Sequence, residues 1–76
     1  MTGYLVIIER DDAGGYSSWA PDLPGVAAAA SSYDETLMLM REAVEFHLQG
    51  LREDGQPIPA PMAVGAETII AALRAG

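Results

Sequence analysis

The sequence predicts a small α+β domain in the order β-β-β-α, followed by a terminal element that is either a strand or a short helix. Three observations carry this. Two short runs, Tyr4 to Ile8 and Tyr16 to Ala20, flank a Gly-rich polar turn. A rigid corner, Pro21-Asp22-Leu23-Pro24-Gly25, then leads into a run of small residues. A single long amphipathic stretch starts behind a capping signal at Ser32.

Residues Tyr4-Leu5-Val6-Ile7-Ile8 are aromatic and β-branched and too few for an ordinary helix, so they read as a buried first strand. Arg10 to Gly15 is the turn. Tyr16 to Ala20 returns as the second strand, with Ser17 and Trp19 on one face and Tyr16, Ser18 and Ala20 on the other. Trp19, the largest side chain here, is the expected core anchor. In the corner, Pro21 and Pro24 fix backbone angles and offer no amide donor, while Gly25 can take angles closed to other residues. The middle of the corner, Asp22-Leu23, places an acid beside an apolar side chain, at a tip able to face a partner.

Alanine favours helix, yet Val26 to Ser31 is assigned to a third strand, because it follows a Pro-Gly turn and a better helix start lies just downstream. Ser32-Tyr33-Asp34-Glu35 matches a capping box, with Ser32 as N-cap and Glu35 returning to its amide. The helix runs to about Asp54, where Gly55 stops it. Leu37, Met40, Val44, Leu48 and Leu51 form the stripe that covers the sheet. Leu39 and Phe46 lie away from that stripe, with Gly50 one turn beyond Phe46. A glycine inside a helix costs ~1 kcal/mol relative to alanine. Something is therefore expected to approach that side closely: the proline segment folding back, or else a second subunit. Gln56 to Pro61 alternates prolines and reads as an extended, semi-rigid connector. In the last element, Thr68-Ile69-Ile70 favours strand and Ala71-Ala72-Leu73-Arg74 favours helix.

The chain has 76 residues, enough for one small domain with one core, residues 1–76, for which oligomerisation is a common source of added stability. It carries no cysteine, no apolar run of the ~18 residues that span a bilayer, and no basic-then-apolar leader at its start, which suits a cytoplasmic protein. Eleven acids against four arginines, with no lysine, give a net charge of −7. That balance opposes binding to a phosphate backbone and favours a basic protein partner. The same charge also serves solubility.

No pattern carries catalysis. One histidine, His47, and no cysteine leave no recognisable metal-ligand spacing, and His47 borders the packing stripe. No serine lies in a nucleophile-elbow context, and Gly14-Gly15 is followed by no lysine of a phosphate loop. The acid pairs Asp11-Asp12, Asp34-Glu35 and Glu53-Asp54 fall in a turn, at a helix start and at a helix end, where ordinary solvated acids are found. No cofactor and no metal are expected, and the residues point to a binding module.

Gly15-Tyr16, Pro21-Asp22-Leu23-Pro24-Gly25, Arg41-Glu42-Ala43-Val44-Glu45, Leu48-Gln49-Gly50-Leu51-Arg52-Glu53-Asp54-Gly55 and Pro57-Ile58-Pro59, in this order and spacing, resemble the HicB-like antitoxins. The resemblance covers roughly residues 4 to 61. It implies a β-β-β-α-β partial, degenerate RNase H-like fold, so the terminal element becomes a strand. It implies a non-enzymatic role: binding a small basic ribonuclease toxin of HicA type and covering the surface that RNA must reach. Many relatives add a C-terminal helix-turn-helix or ribbon-helix-helix domain; the sequence ends at Gly76, so a stand-alone domain without direct DNA binding is expected. Leu39 stands where the family's usual residue is polar. The expected partner contacts are Asp22 and Leu23 at the corner, with Asp11 and Asp12 as an outlying acidic tip. Leu39 and Phe46 are the expected contacts of a homodimer or higher homo-oligomer. The alternative is a homo-oligomeric regulatory or scaffold domain without a toxin.

Overall fold

A computed structural model describes residues 3–73 and places three strands and one helix in the expected order: β1 (Ile7–Arg10), β2 (Tyr16–Trp19), β3 (Ala27–Ala30) and α1 (Tyr33–Glu53). The sheet is antiparallel in the order β1-β2-β3, and α1 packs on one face of it. The first strand begins later than expected. Tyr4 to Val6 lead into the ladder without joining it, and Arg10 pairs with Tyr16. The turn sets this register. Asp11 Oδ1 accepts the amides of Ala13 and Gly15 at 2.9 and 2.8 Å, and the Asp11 amide reaches the Gly15 carbonyl at 2.9 Å. An aspartate closing its own loop in this way lets the strands pair right up to it.

Alternation along β2 is as expected, but the buried face is the opposite one. Ser18 and Ala20 are buried against the helix, whereas Trp19 is 45 % exposed on the far face. Trp19 is therefore not the core anchor. Its indole N–H donates to the carboxylate of Glu9, a diagonal neighbour on β1. Small residues occupy the covered face because α1 lies close to it. Ser18 Oγ donates to the Ala28 carbonyl at 3.4 Å, so its hydroxyl is not left unpaired.

The core consists of Ala20, Leu23, Val26 and Met40, with Tyr4, Val6, Ala28, Ala43, Val44 and Leu48 packed around it. Leu23 reaches it through two successive turns. The Leu23 amide donates to the Ala20 carbonyl at 3.1 Å, and the Val26 amide to the Leu23 carbonyl at 3.2 Å. Pro24 and Gly25 are the central residues of the second turn, and Gly25 has φ +85°, as a type II turn requires. Leu23 is only 1 % exposed. The expectation that it meets a partner is thereby corrected: the double turn points it inward, not outward.

Both ends of α1 are capped. Ser32 Oγ accepts the Glu35 amide at 3.2 Å. The Glu35 carboxylate accepts from Ser31 Oγ at 3.4 Å instead of returning to the Ser32 amide, so only half of the expected box forms. Thr36, fully buried, donates its hydroxyl to the Ser32 carbonyl at 2.8 Å. At the far end, Gly55 has φ +69°; its amide reaches Arg52 O at 3.1 Å, and the Gln56 amide reaches Leu51 O at 2.8 Å. This is the Schellman arrangement, and it ends the helix where the sequence places the stop.

Beyond α1 the chain is irregular through residue 73. The expected fourth strand over 67–73 is absent among the described residues, where that segment pairs with none of the three strands. The start of the segment is held. Tyr4 Oη donates to the Pro59 carbonyl, and Asp22 Oδ2 accepts the amides of Met62 and Ala63, both at 2.9 Å. The residues that follow run clear of the body. The radius of gyration is accordingly 15.3 Å, against about 11 Å for a compact chain of this length.

Two outcomes follow from these placements. In urea denaturation, Leu23→Ala is expected to cost about 2–4 kcal/mol, and Trp19→Ala clearly less, reversing the order that side-chain size suggests; equal losses would contradict the assignment of faces. Asp22→Ala is expected to cost about 1 kcal/mol and to speed hydrogen exchange at the Met62 and Ala63 amides while leaving amides within α1 unchanged. Unaltered exchange at those two amides would show that the clamp does not form.

Candidate partner-binding surfaces

The sequence singles out the corner, the acidic turn and one side of the helix. The structure gives these three regions different roles. At the corner, Asp22 is half-buried and its Oδ2 is already engaged by two amides some 40 residues away. A carboxylate accepting two backbone N–H groups is a good structural clamp, because a charged acceptor makes the stronger kind of hydrogen bond. Its neighbour Leu23 belongs to the core. The corner is thus a junction between the sheet and the C-terminal segment.

The β1–β2 turn is a true surface tip. Asp11 and Asp12 are both exposed. Asp11 spends Oδ1 on the loop itself, whereas the Asp12 side chain makes no hydrogen bond among the described residues. Asp12 is therefore the acid here whose charge is most available to an incoming cation. Neighbouring Gly15 has little room, since a Cβ there would come within 2.8 Å of Asp11 Oδ2 and 3.3 Å of the Ala30 carbonyl. Glycine at that position keeps the tip narrow.

On the helix, Phe46 is 81 % exposed and Leu39 is half-buried. The proline segment does not cover Phe46. It crosses instead toward Tyr4, whose hydroxyl donates to the Pro59 carbonyl, and a shallow depression lies between Pro61 and Ala63 and the residues Gly3 to Leu5. Of the two readings of this side, folding-back of the prolines is not what the structure shows. What lies beside Phe46 is a shallow groove of about 400 Å³ between the start of β3 and the second half of α1, lined by residues that include Val26, Ala27, Ala43, His47 and Gly50. Gly50 forms an open stretch of its wall, because a Cβ built there would meet nothing within 4 Å. Sequence reasoning found the odd residues on this side but not the groove, which needs β3 and α1 in place together.

Among the described residues, no three His, Cys, Asp or Glu side chains are grouped so as to hold a metal ion, and no helix is long and apolar enough to cross a membrane. The arrangement offers an acidic tip, an apolar groove and an extended segment.

Residues 4–72 match the family described as a HicB-like antitoxin of bacterial toxin–antitoxin systems. A UPF0150 protein of Synechocystis is 30 % identical over 56 residues, covering 74 % of this chain and 71 % of the relative. One from Archaeoglobus fulgidus is 36 % identical over 55 residues, covering 70 % and 80 %. The crystal structure of the N-terminal domain of the antitoxin HicB from Burkholderia pseudomallei superposes with a TM-score of 0.66 at 27 % identity, over 83 % of this chain and 69 % of that one. The β-β-β-α order, the proline-bound corner and the match over almost the whole sequence converge, and the chain belongs to the HicB-like antitoxin family.

Proposed function

We propose that this protein binds a small basic ribonuclease toxin of HicA type and neutralises it by covering the surface that RNA must reach. Membership of the antitoxin family is the observation that carries this reading. Charge supports it: a chain with net charge −7 and no lysine is suited to a basic ribonuclease and poorly suited to a phosphate backbone. The reading is therefore of a non-enzymatic protein that acts on nucleic acid only through its partner, with no direct DNA binding, in the cytoplasm where mRNA is cut. The β-β-β-α order is compatible with a partial RNase H-like fold, and fold alone lends no nuclease activity.

Of the acids named from sequence, Asp12 is the strongest candidate for contact with the toxin, and Asp11 supports it by shaping the loop. Asp22 serves the interface indirectly, by holding the segment that begins at Met62.

The deciding experiment is co-expression with a small basic ribonuclease of HicA type, taken from the adjacent open reading frame where that frame encodes one. The expected result is a co-purifying complex, restored growth and blocked RNA cleavage; a toxin that still kills and does not co-purify would overturn the proposal. Within such a complex, Asp12→Arg is expected to weaken affinity about 3- to 10-fold, mainly through slower association, and the loss should shrink as salt is raised. Unchanged association kinetics would remove Asp12 from the contact.

A further inference from the structure

We propose that the groove between α1 and the start of β3 is the seat of a basic protein partner, which inserts an apolar side chain there and sets lysines or arginines against the acids beside Phe46. The partner's identity as a ribonuclease rests on the function proposed above; the chemistry of the seat does not.

The groove is open and apolar. Val26, Ala27 and Ala43 line it, and Phe46 stands beside them, 81 % exposed. Gly50 leaves a stretch of the helix wall bare. No unusual backbone angle calls for that glycine, since it lies inside α1 and the positive φ values belong to Gly14, Gly25 and Gly55. A glycine inside a helix costs stability relative to alanine. Nothing in this chain recovers that cost by packing closely, because a Cβ at Gly50 would meet no atom within 4 Å. The flat wall suits a molecule that comes from outside.

Charge selects which molecule. At about 100° per residue, Glu42 and Glu53 fall within about 40° of Phe46 around the helix, whereas Arg41 and Arg52 are more than about 110° away. These four charged side chains are exposed. Asp54 lines the groove itself. The one other arginine among the described residues, Arg10, is on β1, at the far edge of the sheet. Phe46 is thus an exposed ring with carboxylates on its own flank and the arginines elsewhere. A lysine or arginine arriving here meets the face of the ring and the acids together. An apolar side chain next to it enters the groove, where a desolvated anchor holds an interface.

The same charges disfavour the other occupants. A second copy paired through this surface about a two-fold axis would set Glu42, Glu53 and Asp54 against their own counterparts. Residues 66–73 of this chain are apolar, but they bring Glu67 and no base. Only a basic partner gains from the acids as well as from the apolar wall. Asp12 lies at the opposite end of the sheet, because the β1–β2 turn is at the end where β3 finishes. Its charge serves the approach, and the groove serves the hold.

The seat is tested first without the toxin. Isotope-labelled protein is titrated to millimolar levels with an end-blocked lysine–leucine–lysine peptide, and separately with glutamate–leucine–glutamate. Amide shifts are expected at Ala27, Ala43 and Gly50 with the basic peptide alone. Gly50→Leu, which fills the groove, should abolish those at Ala27 and Ala43 while raising the melting temperature. A glycine with a purely structural role would not lose binding and gain stability together. The HicA-type ribonuclease is then bound to immobilised protein. Phe46→Ala is expected to speed its dissociation about 10- to 100-fold. Glu42→Arg should slow association about 3- to 10-fold, and Glu45→Arg, on the other flank, clearly less. Helical circular dichroism should be retained throughout. Toxin binding unchanged in both Phe46→Ala and Gly50→Leu would overturn the seat and leave the proposed function standing. Peptide shifts confined to the groove, beside a toxin that does not bind, would do the reverse. If neither peptide nor toxin reaches the groove, both fail. Equal shifts with the acidic peptide would also overturn the seat. So would shifts at Gly50 that grow with protein concentration alone, or that appear when residues 66–76 are removed, because each gives the groove to another occupant.

Discussion

The burial of Leu23 is the constraint on which the rest of the structure depends. Two turns in succession, each with proline at its second position, take the chain from β2 to β3 and drop one leucine into the space between sheet and helix. The same corner lifts Asp22 to the amides of Met62 and Ala63. A single five-residue segment therefore determines where the helix can sit, how far apart β2 and β3 begin, and from which point the C-terminal segment departs. Tyr4 and Val6, packed beside Val44 and Leu48, make the other link between regions so distant in sequence.

The small side chains of the covered face have a related meaning. Ser18, Ala20 and Ala28 bring α1 close, so Met40 and Leu23 fill the interior without an aromatic residue between them. The large side chains are displaced outward. Trp19 lies on the uncovered face, Phe46 projects from the helix flank, and Tyr16 and Tyr33 meet edge-to-face at a centroid distance of 6.3 Å near the start of α1. Much of the apolar surface thus remains exposed, as Trp19, Tyr33 and Phe46 show.

Local chemistry made most of the fold legible. The N-cap at Ser32, the stop at Gly55 and the turn at Pro24-Gly25 are each decided by the residues present, and the structure has them where the sequence puts them. Alternation along β2 was legible as well, but alternation says which residues share a face and not which face is covered. Trp19 was consequently assigned to the wrong side. The roles of Asp22 and Leu23 were hidden for another reason: one is decided by amides some 40 residues away and the other by the direction of a double turn. The fourth strand is the instructive failure. Ile69 and Ile70 have the preference of a strand, but a preference becomes structure only when an edge is within reach, and this chain's own sheet receives none of it.

Trp19 is the sole tryptophan of the sequence, and it lies on the sheet face opposite the helix with its indole nitrogen bound to Glu9. The interior contributes no indole, so the protein's intrinsic fluorescence originates at its surface. A partner that settles on that face would dehydrate the ring or break its bond to Glu9, shifting the emission to the blue or changing its intensity. One that settles on the helix flank would leave the spectrum as it was. The molecule carries its own optical probe of which side has been occupied, without a label and without an added cysteine.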